Sequence, residues 1–159
     1  MRFLALAALL AVVSSTASAQ ERPTGLAGTF SLGGGGELGL DSGKAGILEL
    51  EATVGWELGA SGVRPELGAA LGISPDTHIA LRPGVRWSLP TVPVQLRVAL
   101  DAANARDRSL RWRWLLVGAA TEVRFTSVLG LYAEIDTGAP LNSDAGLPLL
   151  VRGGASFRF

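Results

Sequence analysis

The stretch TFSLGGGGELGL, residues 29–40, places four consecutive glycines between two short apolar and polar alternations. Side chains of a β-strand point to opposite faces in turn, so apolar residues stay on one face only when their positions share a parity. Phe30, Leu32 and Leu38 have even numbers, whereas Glu37 has an odd number. The glycines therefore preserve the phase and predict one continuous strand instead of a flexible linker. A glycine bulge is the alternative.

The same alternation recurs through the rest of the chain. Turn-forming clusters separate seven further segments, each of roughly nine to sixteen residues. In the second segment Leu48, Val54 and Trp56 share one parity, and Glu49 and Glu51 share the other. This period of two is typical of strands and not of helices. The chain is therefore predicted to form eight antiparallel strands.

The second face of these strands is strongly charged. It carries nine acidic residues and seven arginines, which we predict to pair as a network if this face lines a closed interior. The predicted network consists of Glu37, Glu49, Glu51, Glu57, Arg64, Glu66, Arg82, Arg86, Arg97, Asp101, Glu122, Arg124, Glu134, Asp136, Arg152 and Arg158.

The first twenty residues, MRFLALAALLAVVSSTASAQ, contain one basic residue, an apolar run and small residues at the end. They are typical of a secretory signal peptide, predicted at residues 1–19 and cleaved before Gln20. An uncleaved anchor is the alternative, but the apolar run is short for a membrane span. The remaining domain, residues 20–159, retains 13 of the 14 basic residues beside 14 acidic ones, which gives no sign of a nucleic-acid partner. Without cysteine, it uses no disulfide.

Aromatic residues of the apolar face collect at one end of the predicted strands. If both termini lie on one side of a membrane, the even-numbered strands end on that side and the first strand begins there. A membrane interface favours such a girdle, whereas a soluble core has no reason to form one. The apolar face is therefore predicted to face lipid; a soluble periplasmic lipocalin-like barrel around a small apolar ligand is the alternative. The predicted girdle consists of Phe30, Trp56, Trp87, Phe125 and Phe157.

The last strand, LLVRGGASFRF at residues 149–159, ends in an aromatic residue after alternating apolar positions. With the signal peptide and the eight amphipathic strands, it resembles small bacterial outer-membrane β-barrels of the OmpA/OmpX type. The resemblance implies an all-β fold, an eight-stranded antiparallel up-and-down transmembrane β-barrel, located in the bacterial outer membrane. It also implies that Phe159 is part of the signal read by the barrel assembly machinery.

An eight-stranded barrel has an interior only wide enough for side chains to fill it. Sixteen long charged side chains need small neighbours there, which the inward glycines are predicted to supply. Pro83 breaks the strand pattern because it removes a ladder donor, so a bulge is expected at Pro83 and Gly84. The inward glycines are Gly33, Gly35, Gly39, Gly55, Gly68, Gly72, Gly84, Gly118 and Gly154.

The candidate catalytic groups are few. Ser74, Asp76 and His78 are triad ingredients, but residues two apart on a strand lie roughly 6 to 7 Å apart, beyond hydrogen-bond reach. We therefore expect no catalytic activity, metal site or cofactor, and a solvated histidine at the rim. A lipid-modifying outer-membrane enzyme that uses His78 is the weaker alternative.

A cluster of arginines marks the connection between the fifth and sixth strands, in ARDRSLRWRW at residues 105–114. Arg106, Arg108, Arg111 and Arg113 are candidates for contact with lipopolysaccharide phosphates, for which the guanidinium group is a good bidentate partner. The alternatives are a solvated loop or a bulge that turns the last two inward. The sequence thus predicts a monomeric barrel with a structural or surface-interaction role, in contact with outer-membrane lipid.

Overall fold

The computed structural model describes residues 24–38, 46–74, 76–104, 109–143 and 145–159. The predicted signal peptide lies outside the described residues, so its cleavage stays a prediction. Eight antiparallel strands close into one barrel in sequence order, and the last strand pairs with the first. The strands are β1 (Thr24–Leu38), β2 (Ile47–Leu58), β3 (Val63–Ser74), β4 (His78–Ser88), β5 (Val94–Asn104), β6 (Leu110–Arg124), β7 (Leu129–Pro140) and β8 (Leu147–Arg158).

The short connections at Gly59–Ser61, between β4 and β5, and between β6 and β7 lie at the end of the barrel where the chain enters and leaves, here called the terminal end. The first residues of β2, β4, β6 and β8 lie at the opposite end, here called the loop end. Within the described part of the chain, no helix is long and apolar enough to cross a membrane.

The glycine stretch in β1 is a regular strand. Gly33 pairs with Glu49 on one side and Arg152 on the other, and the register is unbroken through Gly35. The alternative of a glycine bulge is therefore wrong. The physical reason for glycine is space, because a Cβ atom at Gly33 would overlap the side chain of Arg152.

The bulge expected at Pro83 is also wrong. Pro83 pairs with Leu67 of β3, and the pairs formed by Leu81 and Gly84 with β5 belong to one register. Arg82 and Pro83 are absent from the β4–β5 ladder because proline has no N–H to donate, yet the alternation of faces continues through them.

Two register shifts occur elsewhere in the barrel. Between β2 and β3, Leu48 pairs with Ser74 and Glu49 pairs with Gly72, so Ile73 is the additional residue. Between β5 and β6, Asp101 pairs with Trp114 and Ala102 pairs with Trp112. Arg113 is therefore the extra residue of a β-bulge, which changes the face to which its side chain points.

The apolar face of the strands is the outer surface of the barrel. Phe30, Trp56 and Val151 are 53%, 51% and 56% exposed, whereas the inward-facing Arg82 and Glu49 are fully buried. The soluble-barrel alternative needs the reverse arrangement and is wrong for this structure. The barrel is thus covered by apolar side chains and filled by charged ones.

One member of the predicted girdle is misplaced. Trp56 pairs with Leu26 close to the start of β1, but Phe30 lies four residues further along and pairs with Ala52 and Ala155. The expectation that Phe30 begins the first strand is wrong, because β1 starts at Thr24. Phe30 therefore belongs to the middle of the outward apolar band. Trp87, Phe125 and Phe157 lie at the terminal end, as expected.

Candidate functional site

The lumen at mid-height is organised around Arg82. Its Nη1 and Nη2 atoms donate to both carboxylate oxygens of Glu49, at 2.6 and 2.8 Å, and its Nε donates to Oδ1 of Asp101 at 2.6 Å. Nη1 also contacts Glu51. Bidentate pairs of this kind are among the stronger hydrogen bonds in proteins. One buried guanidinium on β4 thus joins carboxylates from β2 and β5.

Arg97 and Arg152 extend this layer to the other wall. Arg97 lies 2.6 Å from Glu51, 2.8 Å from Glu66 and 2.9 Å from Glu134, measured between guanidinium nitrogens and carboxylate oxygens. Arg152 contacts Glu51 as well. Because Glu51 touches arginines from three strands, the pairs form one connected network, and its members cannot move independently.

A second layer fills the terminal end of the lumen. Arg86 lies 2.5 Å from Glu134 and 3.1 Å from Glu66, which links this layer to the first. Arg158 lies 2.7 Å from Glu122. Glu122 also accepts hydrogen bonds from the neutral side chains of Gln95 and Ser156, which the charge pattern alone does not reveal. Neutral side chains therefore add hydrogen bonds to the network of charged residues.

The sixteen predicted network residues all lie on the inward side. Fifteen of them form ion pairs with one another, and the sixteenth, Glu37, accepts a hydrogen bond from the backbone N–H of Gly146 at 3.0 Å. Arg124 is the most exposed of the fifteen, at 26% of its side chain, and lies 3.5 Å from Glu122. The paired residues are Glu49, Glu51, Glu57, Arg64, Glu66, Arg82, Arg86, Arg97, Asp101, Glu122, Arg124, Glu134, Asp136, Arg152 and Arg158.

An apolar cluster closes the lumen towards the loop end. Ile47, Trp114, Leu116 and Leu150 are buried against one another, and the indole N–H of Trp114 donates to the backbone oxygen of Gly146 at 2.9 Å. The alternation of charged and apolar residues did not predict this cluster. The available signal was the doubled leucines at 115–116 and 149–150, because two successive apolar residues in a strand place one on each face.

Arg113 belongs to the lumen and not to the lipid-facing surface. The bulge in β6 turns it inward, where its Nε donates to Oδ2 of Asp101 at 2.8 Å and its guanidinium lies 3.6 Å from the centre of the Trp114 ring. The expectation of a lipopolysaccharide contact at Arg113 is therefore wrong. The bulge changes the face of Arg111 as well, because Arg111 pairs with the inward-facing Ala103, so the expectation that it shares the lipid face of Leu115 is also wrong. Arg111 is exposed at the rim and donates to the hydroxyl of Ser109 at 3.1 Å. Arg106 and Arg108 lie outside the described residues.

The fold can be compared with solved structures. The N-terminal β-barrel domain of OprF from Pseudomonas aeruginosa is 13% identical to this chain, with a TM-score of 0.61, over 86% of this chain and 100% of that chain. The Neisserial surface protein A, NspA, is 12% identical, with a TM-score of 0.56, over 86% of this chain and 97% of that chain. The chain has the fold of the small outer-membrane β-barrels. No family model matches it, and no curated protein is similar to it in sequence.

The small outer-membrane barrel fold predicted from the sequence is thus confirmed, but identities this low show the fold alone. A structure from the de novo design of transmembrane β-barrels is also similar, at 15% identity and a TM-score of 0.52, over 89% of this chain and 100% of that chain. A fold that design can also produce carries no particular function with it. Function must therefore be argued from the lumen and the rim.

The ring of His78 does not form a catalytic triad with Ser74 and Asp76. Nδ1 of His78 lies 2.9 Å from the backbone oxygen of Asp76, and Nε2 lies 3.4 Å from Nη1 of Arg113. Both ring nitrogens thus face partners other than the hydroxyl of Ser74 or the carboxylate of Asp76. Among the residues that the structure describes, no group of three or more histidine, aspartate and glutamate side chains could hold a metal ion.

Proposed function

We propose that this protein is a closed, non-catalytic β-barrel of a bacterial outer membrane, exported by its signal peptide, that supports the envelope and contacts its lipid. The observation that carries the proposal is the combination of an apolar exterior with a lumen filled by paired charges. A bilayer requires an apolar outer band. Charges in a narrow interior are tolerable when each finds an opposite partner.

The side chains that fill the lumen also determine whether solutes can pass through the barrel. Arg82, Arg97 and Arg152 are buried inside it, and so is the apolar cluster that contains Trp114 and Leu116. An ion would have to displace both a charge network and an apolar cluster to cross. A structural role therefore fits this interior better than transport.

Fractionation combined with gel mobility tests the membrane assignment. The full-length protein should be recovered from the outer membrane, and its band should shift on boiling because a paired barrel resists detergent until it is heated. When the purified barrel is inserted into planar bilayers, no stepwise ion conductance should be recorded. Recovery in the soluble periplasm would contradict the membrane assignment, and regular conductance steps would contradict the closed lumen.

A surface interaction with lipopolysaccharide is the second component of the proposal. Arg111 and Trp112 are both exposed at the loop end of β6, and Arg106 and Arg108 precede them in the same connection. A tryptophan suits the boundary between apolar and polar lipid, and arginines can bind its phosphates bidentately.

Lipid co-purification tests this surface. Replacing Arg106, Arg108 and Arg111 together with glutamine should reduce the lipopolysaccharide retained through detergent purification. Arg124→Gln is the matched control, because Arg124 is partly exposed at the opposite end of the barrel. Equal retention by the triple variant and the control would contradict lipopolysaccharide binding while leaving the closed barrel in place.

A further inference from the structure

The only histidine of the chain lies at the loop end of the lumen, beside Arg113, which the bulge in β6 turns inward. His78 begins β4, and its ring fills the space that a Cβ atom at Gly72 would need. Its Nε2 atom lies 3.4 Å from Nη1 of Arg113. The proposed function uses neither residue.

The two partners of the ring differ in what they can accept and donate. The backbone oxygen of Asp76 can only accept a hydrogen bond, so Nδ1 of His78 carries a proton and donates it at 2.9 Å. A guanidinium group can only donate, so Nε2 must be unprotonated to accept from Arg113. Both hydrogen bonds form together only with a neutral imidazole whose proton is on Nδ1.

Arg113 covers the loop end of the network through three contacts. Its Nε donates to Asp101, its plane lies over the ring of Trp114, and its Nη1 reaches His78. Its Nη2 atom is buried without a hydrogen-bond partner, although the side chain as a whole is still 18% exposed. Loss of the histidine contact would leave a second donor unpaired, and the guanidinium has water within reach.

We propose that His78 and Arg113 form a pH-sensitive latch over the loop end of the lumen. Imidazole groups take up a proton in the mildly acidic range. A proton on Nε2 removes the acceptor for Arg113 and places two cations side by side. Arg113 then swings out into water, which uncovers the ring of Trp114 and one oxygen of Asp101.

The charged neighbours of the latch belong to one chain of contacts. The charged group that touches the imidazole is the guanidinium of Arg113, and Arg113 in turn binds Asp101, which also binds Arg82. Asp101 keeps its bond to Arg82 when Arg113 leaves, so the network below the latch stays paired. The change is therefore confined to the mouth of the lumen and does not unfold the barrel.

Fluorescence quenching of Trp114 tests the latch. Trp56, Trp87 and Trp112 are exposed on the outer surface and can be replaced with phenylalanine, which leaves Trp114 as the only reporter. In a non-ionic detergent, the acrylamide quenching constant should rise by about twofold or more between about pH 8 and about pH 5, because the ring is uncovered as the imidazole is protonated.

Two variants assign the change to the proposed pair. His78→Gln can make the same two hydrogen bonds without taking up a proton, so its quenching should stay low at both pH values. Arg113→Gln removes the cover, so its quenching should be high at both. Heat-shifted gel mobility verifies that each variant is folded.

A flat pH profile in the parent protein would overturn the latch, and so would a pH-dependent rise that persists in His78→Gln. Low quenching of a folded Arg113→Gln at about pH 8 would show that Arg113 does not cover the ring, and would also overturn it. If Arg113→Gln does not fold, the comparison of the parent with His78→Gln still decides the proposal.

Discussion

Replacing Arg82 with alanine is the most direct test of a charge-filled lumen. Arg82 is fully buried and touches three carboxylates, those of Glu49, Glu51 and Asp101. The substitution would leave three negative charges in the interior with fewer partners. Removing one member of a buried ion pair typically costs about 3 to 5 kcal/mol. Because Arg82 serves three carboxylates, we expect a loss at the upper end of this range.

The assay is equilibrium unfolding by guanidinium chloride in detergent micelles, followed by tryptophan fluorescence and by heat-shifted gel mobility. Arg82→Ala should lower the free energy of unfolding strongly. Arg86→Ala should lower it by a similar or smaller amount, because Arg86 pairs with Glu66 and Glu134. Arg111→Ala is the control, and its exposed side chain should change stability by no more than about 0.5 kcal/mol.

A double variant separates lost pairing from lost packing. Neutralising one stranded carboxylate with Glu49→Gln should recover part of the stability lost in Arg82→Ala, because fewer charges of one sign remain buried together. Residues in one network couple by roughly 0.5 to 3 kcal/mol. If both Arg82→Ala and Arg86→Ala are as stable as the control, the paired charges do not stabilise the lumen and the prediction is refuted. If Glu49→Gln adds to the loss instead, cavity formation and not unpaired charge dominates.

Three further predictions concern glycine, the apolar cluster and the last residue. Gly33→Ala should cost about 1 to 3 kcal/mol in unfolding experiments, because its Cβ would overlap a lumen arginine, whereas Gly36→Ala, with no atom within 4 Å of its Cβ position, should be nearly neutral. Leu150→Ala, in the buried cluster, should cost about 2 to 5 kcal/mol by thermal or chemical unfolding, and the exposed Leu149→Ala should cost much less. Deleting Phe159 should reduce the amount of heat-modifiable barrel in the outer membrane far more than Leu149→Ala does; equal amounts would show that the terminal aromatic is not an assembly signal.

The alternation of the sequence was sufficient for most of the architecture. The parity of Leu48, Glu49 and their neighbours predicted the strands, and the charged parity predicted all sixteen inward residues. This succeeds because a strand in a membrane barrel has only two faces, and lipid and lumen require opposite chemistry from them. The local sequence predicted the starts of the strands less accurately than their faces. Phe30 was therefore predicted at an end of β1, although it lies in the middle.

Pairing across the barrel decided what the alternation could not. Arg111 and Arg113 continue the parity of Leu115, so only the shift between Asp101 and Ala102 reveals that both leave the face of Leu115. Which arginine meets which carboxylate depends on the register of all eight strands, since Glu51 on β2 touches Arg152 on β8, a hundred and one residues away. The sequence by itself thus determined which face each side chain occupies, because that follows from a local period of two. The partners, the bulge and the contact between His78 and Arg113 were decided only when the barrel closed, because closure sets how far each strand is offset from the next.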